Sequence, residues 1–479
     1  MSEQLHLHLR HASRVPDDLA FRPAVELARL VAARELSPVE LLDSCLERIE
    51  RLDGQLNSVV TLDADRARAT ARAAEARAGG EDAPPYLGVP ILIKDLHLTE
   101  GLRTTFGTAS LARFVPPFDE EHIARIRRAG FVVVGKTNVP ELGTLPVTES
   151  ALHGPARNPW DTDRTPGGSS GGAAAAMAAA LTPVVHGSDG AGSIRIPASN
   201  CGVFGLKPAR GRVTTAPLFG DAGAALSAVG PIARHVEDAA ALLDVMRGPV
   251  PGDAHWAPDP GRPYADEAVT DPPPLRIGVT TSVPWATYDA DALAALDVAI
   301  TLFERLGHVV EPLTLPLSDQ LRVDFQALWA AGLAASPVDH ATLEPFNAGL
   351  ARIGAAVSGT RVLQAMAGLQ LQARAVVGAS LPFDAVCHPT LTRAPLKVGE
   401  LEGLPIEAAL DLLAGYVALA PLANVTGQPS MSLPLHWTAD GLPVGVTVTG
   451  RPADEATLFR LAGQVQRATD WYRRRPPVS

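Results

Sequence analysis

Cysteine is scarce in this sequence. The 479 residues include only Cys45, Cys201 and Cys387, far apart and without metal-ligand spacing. That excludes a disulfide framework and a cysteine-based zinc site, and it leads to the expectation of a reducing, cytoplasmic setting. A surplus of positive charge is also missing. Lys and Arg number 41 against 52 Asp and Glu, for a formal net charge of −11 and a pI near 5.6, which argues against a nucleic-acid-binding surface. The basic run at 473–475 reads as a solvated tail. No apolar run is long enough to cross a bilayer. The longest, around 173–185, reads as a buried helix followed by a strand, so no membrane partner is expected. The opening stretch "MSEQLHLHLRHASRVPDDLA" has no apolar segment behind a basic start, so a secretory signal is not expected either. What remains is 46% hydrophobic and 19% charged, ordinary for an enzyme with a large core.

The pattern of what is present is α/β. "SPVELLDSCLERIERL" has Ser37 as N-cap, Pro38 at the first helical position and Glu40 in capping-box register. Leu42, Cys45, Leu46, Ile49 and Leu52 then recur at helical spacing. An exposed Ala/Arg-rich helix is expected at 64–78. "LGVPILIKDLHL" and "FVVVGKT" read as apolar strands, and "TPVVHGSDGAGS" as a strand entering a glycine loop. Residues 275–281, 307–313, 383–391 and 441–450 are further strand candidates. Helices are expected near 290–306 and over 454–468. Strands alternating with helices predict one large sheet. The Pro-rich stretch 248–274 is too aromatic for a free linker and reads as an ordered excursion, not a domain boundary.

The stretch most in need of a reason is "TPGGSSGGAAAAMAAAL", residues 165–181. A flexible turn and a phosphate loop are both open readings, although no lysine follows the glycines as a P-loop requires. Gly168-x-Ser170-x-Gly172 also matches a nucleophile elbow, in which case Ser170 is the nucleophile of an α/β-hydrolase-type esterase. That fold needs a late Asp and His, for which His388 and His436 are the candidates.

Motifs on both sides narrow the choice. "GVPILIKD", "GKTNVPE", "RNPWD", "PGGSSGGAAAA", "GSIRIPAS", "CGVFGLKPARGRV", "NVTGQPSMSLPL" and "DGLPVGV" follow one another in that order. In this the chain resembles the amidase signature family. "HGSDGAGSIRIPASNCGVFGLKPARGR" is similar to the branch with hydrolases of cyclic nylon oligomers. The resemblance implies one amidase domain over 1–479, with a central mixed β-sheet covered by helices on both faces. Its signature core spans about 85–215, a variable substrate-pocket region about 215–420, and closing strands and helix about 420–470.

It also implies a Ser–cis-Ser–Lys triad: Ser193 as nucleophile, Ser169 as the bridging serine after a cis bond from Gly168, and Lys94 as base. The bridge-to-nucleophile spacing, 193 − 169 = 24 residues, selects Ser169 over Ser170, which becomes a supporting neighbour. Backbone N–H groups of Gly190, Ala191, Gly192 and Ser193 are the implied oxyanion hole. Ala191 stands where the commoner family pattern has glycine. Asp95, Asp189 and Arg195 are expected to anchor loops. Phe325, Trp329, Leu333, Phe346 and Leu363 are apolar candidates for an acyl pocket. The implied reaction is amide hydrolysis through an acyl-enzyme, with esters or carbamates as side substrates and neither metal nor organic cofactor. The implied partner is a small-molecule amide, the chain being a monomer or homodimer. A glutaminase-type subunit of a tRNA-dependent amidotransferase is the alternative.

Overall fold

Where the hydrophobic period changes from about two residues to nearly four, the chain changes from strand to helix. A computed structural model describes residues 19–218, 220 and 225–479 of it. The stretch read for a secretory signal lies outside the described residues as far as residue 18. The helix Pro38–Leu56 starts where expected, with the Ser37 hydroxyl accepting the Val39 and Glu40 amides. It runs a turn further than the spacing suggested and stops at Asn57, which takes the left-handed conformation that ends helices. The Ala/Arg helix Ala64–Arg77 buries only its alanine stripe, Ala67, Ala71 and Ala74.

Eleven strands form one mixed sheet. From edge to edge they are Val59–Leu62, Val132–Thr137, Pro90–Lys94, Val184–Asp189, Ala228–Ala233, Phe204–Lys207, Ser430–Trp437, Pro443–Gly450, Ala385–Pro389, Arg276–Val279 and Val309–Pro312. Val132–Thr137, Pro90–Lys94 and Val184–Asp189 run parallel and are wholly buried. Burial on both faces is why they read as continuous apolar runs rather than alternating ones. The middle of the sheet is antiparallel, and a second parallel group closes the far edge. One hydrophobic core links Ala24 near the start of the described chain to Trp471 near its end, so this is a single α/β domain.

Four of these strands were not expected, and Ala228–Ala233 shows why. Its sequence "AVGPIA" carries Gly230 and Pro231, both signs against a central strand. The glycine is there for a close approach: a Cβ on Gly230 would sit 2.3 Å from the Leu206 carbonyl of the neighbouring strand. The stretch 248–274 is ordered as expected, with Tyr264 buried and bonded to Glu455. Among the described residues no helix is long and apolar enough to cross a membrane.

The alanine-rich run is the helix Gly171–Ala178, buried along its whole length. Small side chains let it lie close to the chain around it. A Cβ on Gly172 would meet the Asn138 amide at 2.4 Å, and one on Gly171 would meet Thr148 Oγ1 at 2.3 Å. Lys94 and Asp189 are the last residues of adjacent parallel strands. Sites in open α/β sheets gather at such carboxyl ends.

Candidate active site

Lys94 ends its strand fully buried, in surroundings that disfavour an ammonium. Desolvation lowers its pKa to about 7, against the opposing pull of the Asp189 carboxylate. Its Nζ donates to Ser169 Oγ at 2.9 Å and to the Ser188 carbonyl at 2.9 Å. Ser169 follows a cis peptide bond from Gly168. Only glycine fits at 168, because a Cβ there would lie 2.6 Å from both the Leu145 carbonyl and the Val147 amide.

Ser170 has other work. Its amide donates to the Ser193 carbonyl at 3.1 Å. Its hydroxyl donates to the Ser188 carbonyl at 3.1 Å and accepts the Ser188 amide at 3.4 Å. Ser170 therefore joins the serine loop to the strand that leads to Ser193. His388 turns Nδ1 to the Pro389 carbonyl, and His436 faces Asp291 at 3.6 Å. Neither meets Ser170 among the described residues, so the elbow reading lacks its base. Ser193 lies on the loop after Asp189 and lines a cavity together with Ala191. Among the described residues no hydrogen bond joins Ser193 Oγ to Ser169. Catalytic hydrogen bonds are often long until substrate arrives.

The loop that carries Ser193 is held by Asp189. This carboxylate accepts the amides of Gly192 (2.7 Å), Ile194 (3.1 Å) and Arg195 (3.4 Å), and takes the Arg195 guanidinium through Nε and Nη2, both at 3.0 Å. Burial alone would raise its pKa, but Arg195, Lys207 and Asn424 outweigh that and hold it well below the usual carboxylate range. One expected donor changes as a result. The Gly192 N–H is committed to Asp189 and is not available to a substrate oxygen, which leaves Gly190, Ala191 and Ser193 of the four amides. Asn424 opens the motif "NVTGQPSMSLPL" but was assigned no role from the sequence. It donates to the Asp189 carbonyl (2.8 Å), Asp189 Oδ1 (3.0 Å) and the Leu226 carbonyl (2.9 Å), and accepts from Arg195 at 2.7 Å. Asp95, on the far side of Lys94, binds the Thr105 amide at 3.0 Å and its hydroxyl at 2.5 Å, closing the loop between them.

The cavity in front of Ser193 encloses about 1010 Å³, its open mouth included, and its lining is mainly apolar. Phe325, Trp329 and Phe346 line it, as expected. Leu333 and Leu363 do not. Leu333 packs into a satellite core with Ala330, Leu343 and Leu350, and Leu363 is 68% exposed. Apolar character made all of these residues candidates, but it could not say which of them faces the site. Phe325 and Trp329 stack, 5.6 Å between ring centroids at 18°. Trp329 also lies against the serine loop: a Cβ on Gly190 would be 3.2 Å from its ring. Three histidines that no motif singled out, His97, His122 and His186, meet behind the strand ends.

Comparison with known proteins gives the family and the fold. The family model described as Amidase matches residues 40–459. A Mycobacterium tuberculosis protein named "Putative amidase AmiB2" is 41% identical over 472 residues, covering 97% of this chain and all of that one. A solved structure of 6-aminohexanoate cyclic dimer hydrolase complexed with substrate superposes with a TM-score of 0.89 at 33% identity, over 96% of this chain and 99% of that one. A glutamyl-tRNA(Gln) amidotransferase subunit from Thioalkalivibrio sulfidiphilus is 36% identical over 480 residues, 94% of this chain and 98% of that one.

Proposed function

Because this chain belongs to the amidase signature family and is a hydrolase of amides, we propose that it cleaves them with Ser193 as nucleophile, Ser169 as proton relay and Lys94 as base. The observation that carries this reading is the contact between Lys94 Nζ and Ser169 Oγ, made by an amine that burial brings close to neutrality at physiological pH. A serine hydroxyl is a weak nucleophile until its proton is taken. A hydroxyl between the two can accept and donate at once, so Ser169 passes the Ser193 proton to neutral Lys94. Ser193 Oγ then bonds to the substrate carbonyl carbon. The oxygen that gains charge is met by the amides of Gly190, Ala191 and Ser193, each preorganised donor being worth about 3–4 kcal/mol of barrier. The proton returns along the same path to the leaving amine, the C–N bond breaks, and water releases the acyl group.

The test is the pH dependence. Lys94 must be neutral to act, so kcat/KM is expected to rise with pH through about 7 and level off above it. A rate independent of pH from about 6 to 9 would remove Lys94 from the role of base.

The apolar cavity favours amides with bulky aromatic or aliphatic acyl groups, and it accepts esters or carbamates of similar shape. Trp329→Ala is expected to lower kcat/KM for a long-chain or aryl amide by about 10-fold or more, with little effect on a two-carbon amide. Equal losses on both substrates would refute an acyl-pocket role for Trp329. The amidotransferase reading is supported by overall likeness, but a lining of this character offers little to the polar side chain of glutamine.

A further inference from the structure

Three histidines outside the proposed reaction meet in the interior close to the end of the Lys94 strand. His97 follows Lys94 by three residues, His122 is on the helix Glu121–Arg128, and His186 is within the strand Val184–Asp189. All three are buried. Ring centroids are 4.7 Å apart for His97 and His186, and 5.1 Å for His97–His122 and for His122–His186. One nitrogen can be chosen from each so that all lie within 4.8 Å of one another.

Their hydrogen bonding is incomplete. Three imidazoles have six ring nitrogens, and only His97 Nδ1 has a partner, Glu120 Oε2 at 2.9 Å. His97 Nε2 and both nitrogens of His122 and of His186 are buried without one. The Thr214 backbone lies close to the His122 ring without closing a hydrogen bond. Native interiors leave few such atoms, and a group of them in one place calls for an occupant; the one lone pair on each neutral imidazole suits a cation.

We propose that His97 Nε2, His122 and His186 ligate a divalent transition-metal ion of the zinc class. Glu120 is placed as the supporting carboxylate. By accepting from His97 Nδ1 it fixes the tautomer whose lone pair is at Nε2, the usual support for a metal-binding histidine. Its other oxygen accepts the Leu98 amide at 2.8 Å, which fixes the carboxylate in turn. Oε2 also lies 3.7 Å from His122 Nε2 and supplies negative charge that neutral imidazoles lack. Lys136, whose charge acts on His186, turns its amine to the His97 carbonyl and Thr99 Oγ1. Metal–nitrogen bonds of about 2.0–2.1 Å require the rings to draw inward. The His122 and His186 rings are nearly parallel, at 6°, so one must turn about its Cβ–Cγ bond. No hydrogen bond of either ring opposes that turn. The ion joins the loop leaving Lys94 to a helix and to the strand that carries Ser188 and Asp189. It is a structural tie and takes no step in amide cleavage.

The test uses the full chain without a polyhistidine tag, grown with added zinc and washed with a weak chelator. About one zinc per chain is expected, as a site with three protein ligands predicts. After stripping with a strong chelator, Co²⁺ alone is expected to bind in equal amount with a visible d–d band, and Zn²⁺ alone to raise the melting temperature by several degrees. His122→Asn and His186→Asn are each expected to lose most of the bound metal while keeping a folded circular-dichroism spectrum. A metal-free protein with no cobalt band and no melting shift overturns the proposal, the sites then being water-filled. Undiminished binding in both variants overturns it as well, by locating the ion elsewhere. If a variant fails to fold, the cobalt band and zinc-dependent melting of the unaltered chain still decide.

Discussion

Ser193→Ala is expected to reduce kcat on any amide by about 10³- to 10⁶-fold, the range over which removing a nucleophile disables a serine hydrolase. Stability is expected to change little. The Ser193 hydroxyl makes no hydrogen bond among the described residues, and its side chain faces the cavity. The melting temperature therefore separates loss of chemistry from loss of fold. An intact-mass experiment adds a second readout. A serine-directed fluorophosphonate is expected to add one adduct to the unaltered chain and none to Ser193→Ala. Ser170→Ala is the control, since Ser170 bonds the Ser193 backbone but only Ser193 is proposed to react. It removes buried hydrogen bonds worth about 1–3 kcal/mol of stability without removing the nucleophile. Ser193→Ala keeping more than about a tenth of the activity, or Ser170→Ala losing the adduct, would reverse the assignment between them.

The capped helix was legible from its local chemistry alone. Lys94 and the serines enclosed by glycines were legible only through the order of the motifs around them and the family those motifs resemble. Pro90–Lys94 and Val132–Thr137 were legible as apolar β-branched runs, whereas Phe204–Lys207, equally buried, was not. Residues that act only through tertiary proximity were not. Asn424 reaches Asp189 across 235 positions, and the motif "NVTGQPSMSLPL" that it opens does not say what it binds. His97, His122 and His186 have no ligand spacing, because the sheet and a packed helix bring them together. Leu333 and Leu363 failed as pocket residues because apolar character does not say what a side chain faces: Leu333 packs into a satellite core and Leu363 is exposed. Gly230 and Pro231 hid a central strand because their defects are matched by the neighbour's backbone, which no local rule sees.

Asp189→Asn is expected to be the most damaging change away from the reacting atoms. The carboxylate is wholly buried and holds three backbone amides of the serine loop together with the Arg195 guanidinium. An amide in its place offers one acceptor instead of two and turns an N–H toward a buried cation. Breaking one partner of a buried ion pair costs about 3–5 kcal/mol, and a fall of that size is expected in the denaturant-unfolding free energy. The sign with pH follows from the depressed pKa. The stabilisation is present above the unfolded carboxylate value of 3.8 and is lost only as pH falls below it, so the deficit of the variant is full at neutral pH. Stability alone would not tie Asp189 to the chemistry, but Lys94 does. Asp189 is the charge that supports the Lys94 ammonium against desolvation. With that charge removed, the amine loses its proton more readily, and the acid limb of the rate profile is expected to move below its position near 7 in whatever activity the variant retains. Asp189→Leu combined with Arg195→Met removes both charges and is expected to recover much of the stability, with the same downward movement of the limb. If both variants keep the limb where it was, the group that sets the rate is not a lysine next to this carboxylate, and the base must be sought elsewhere.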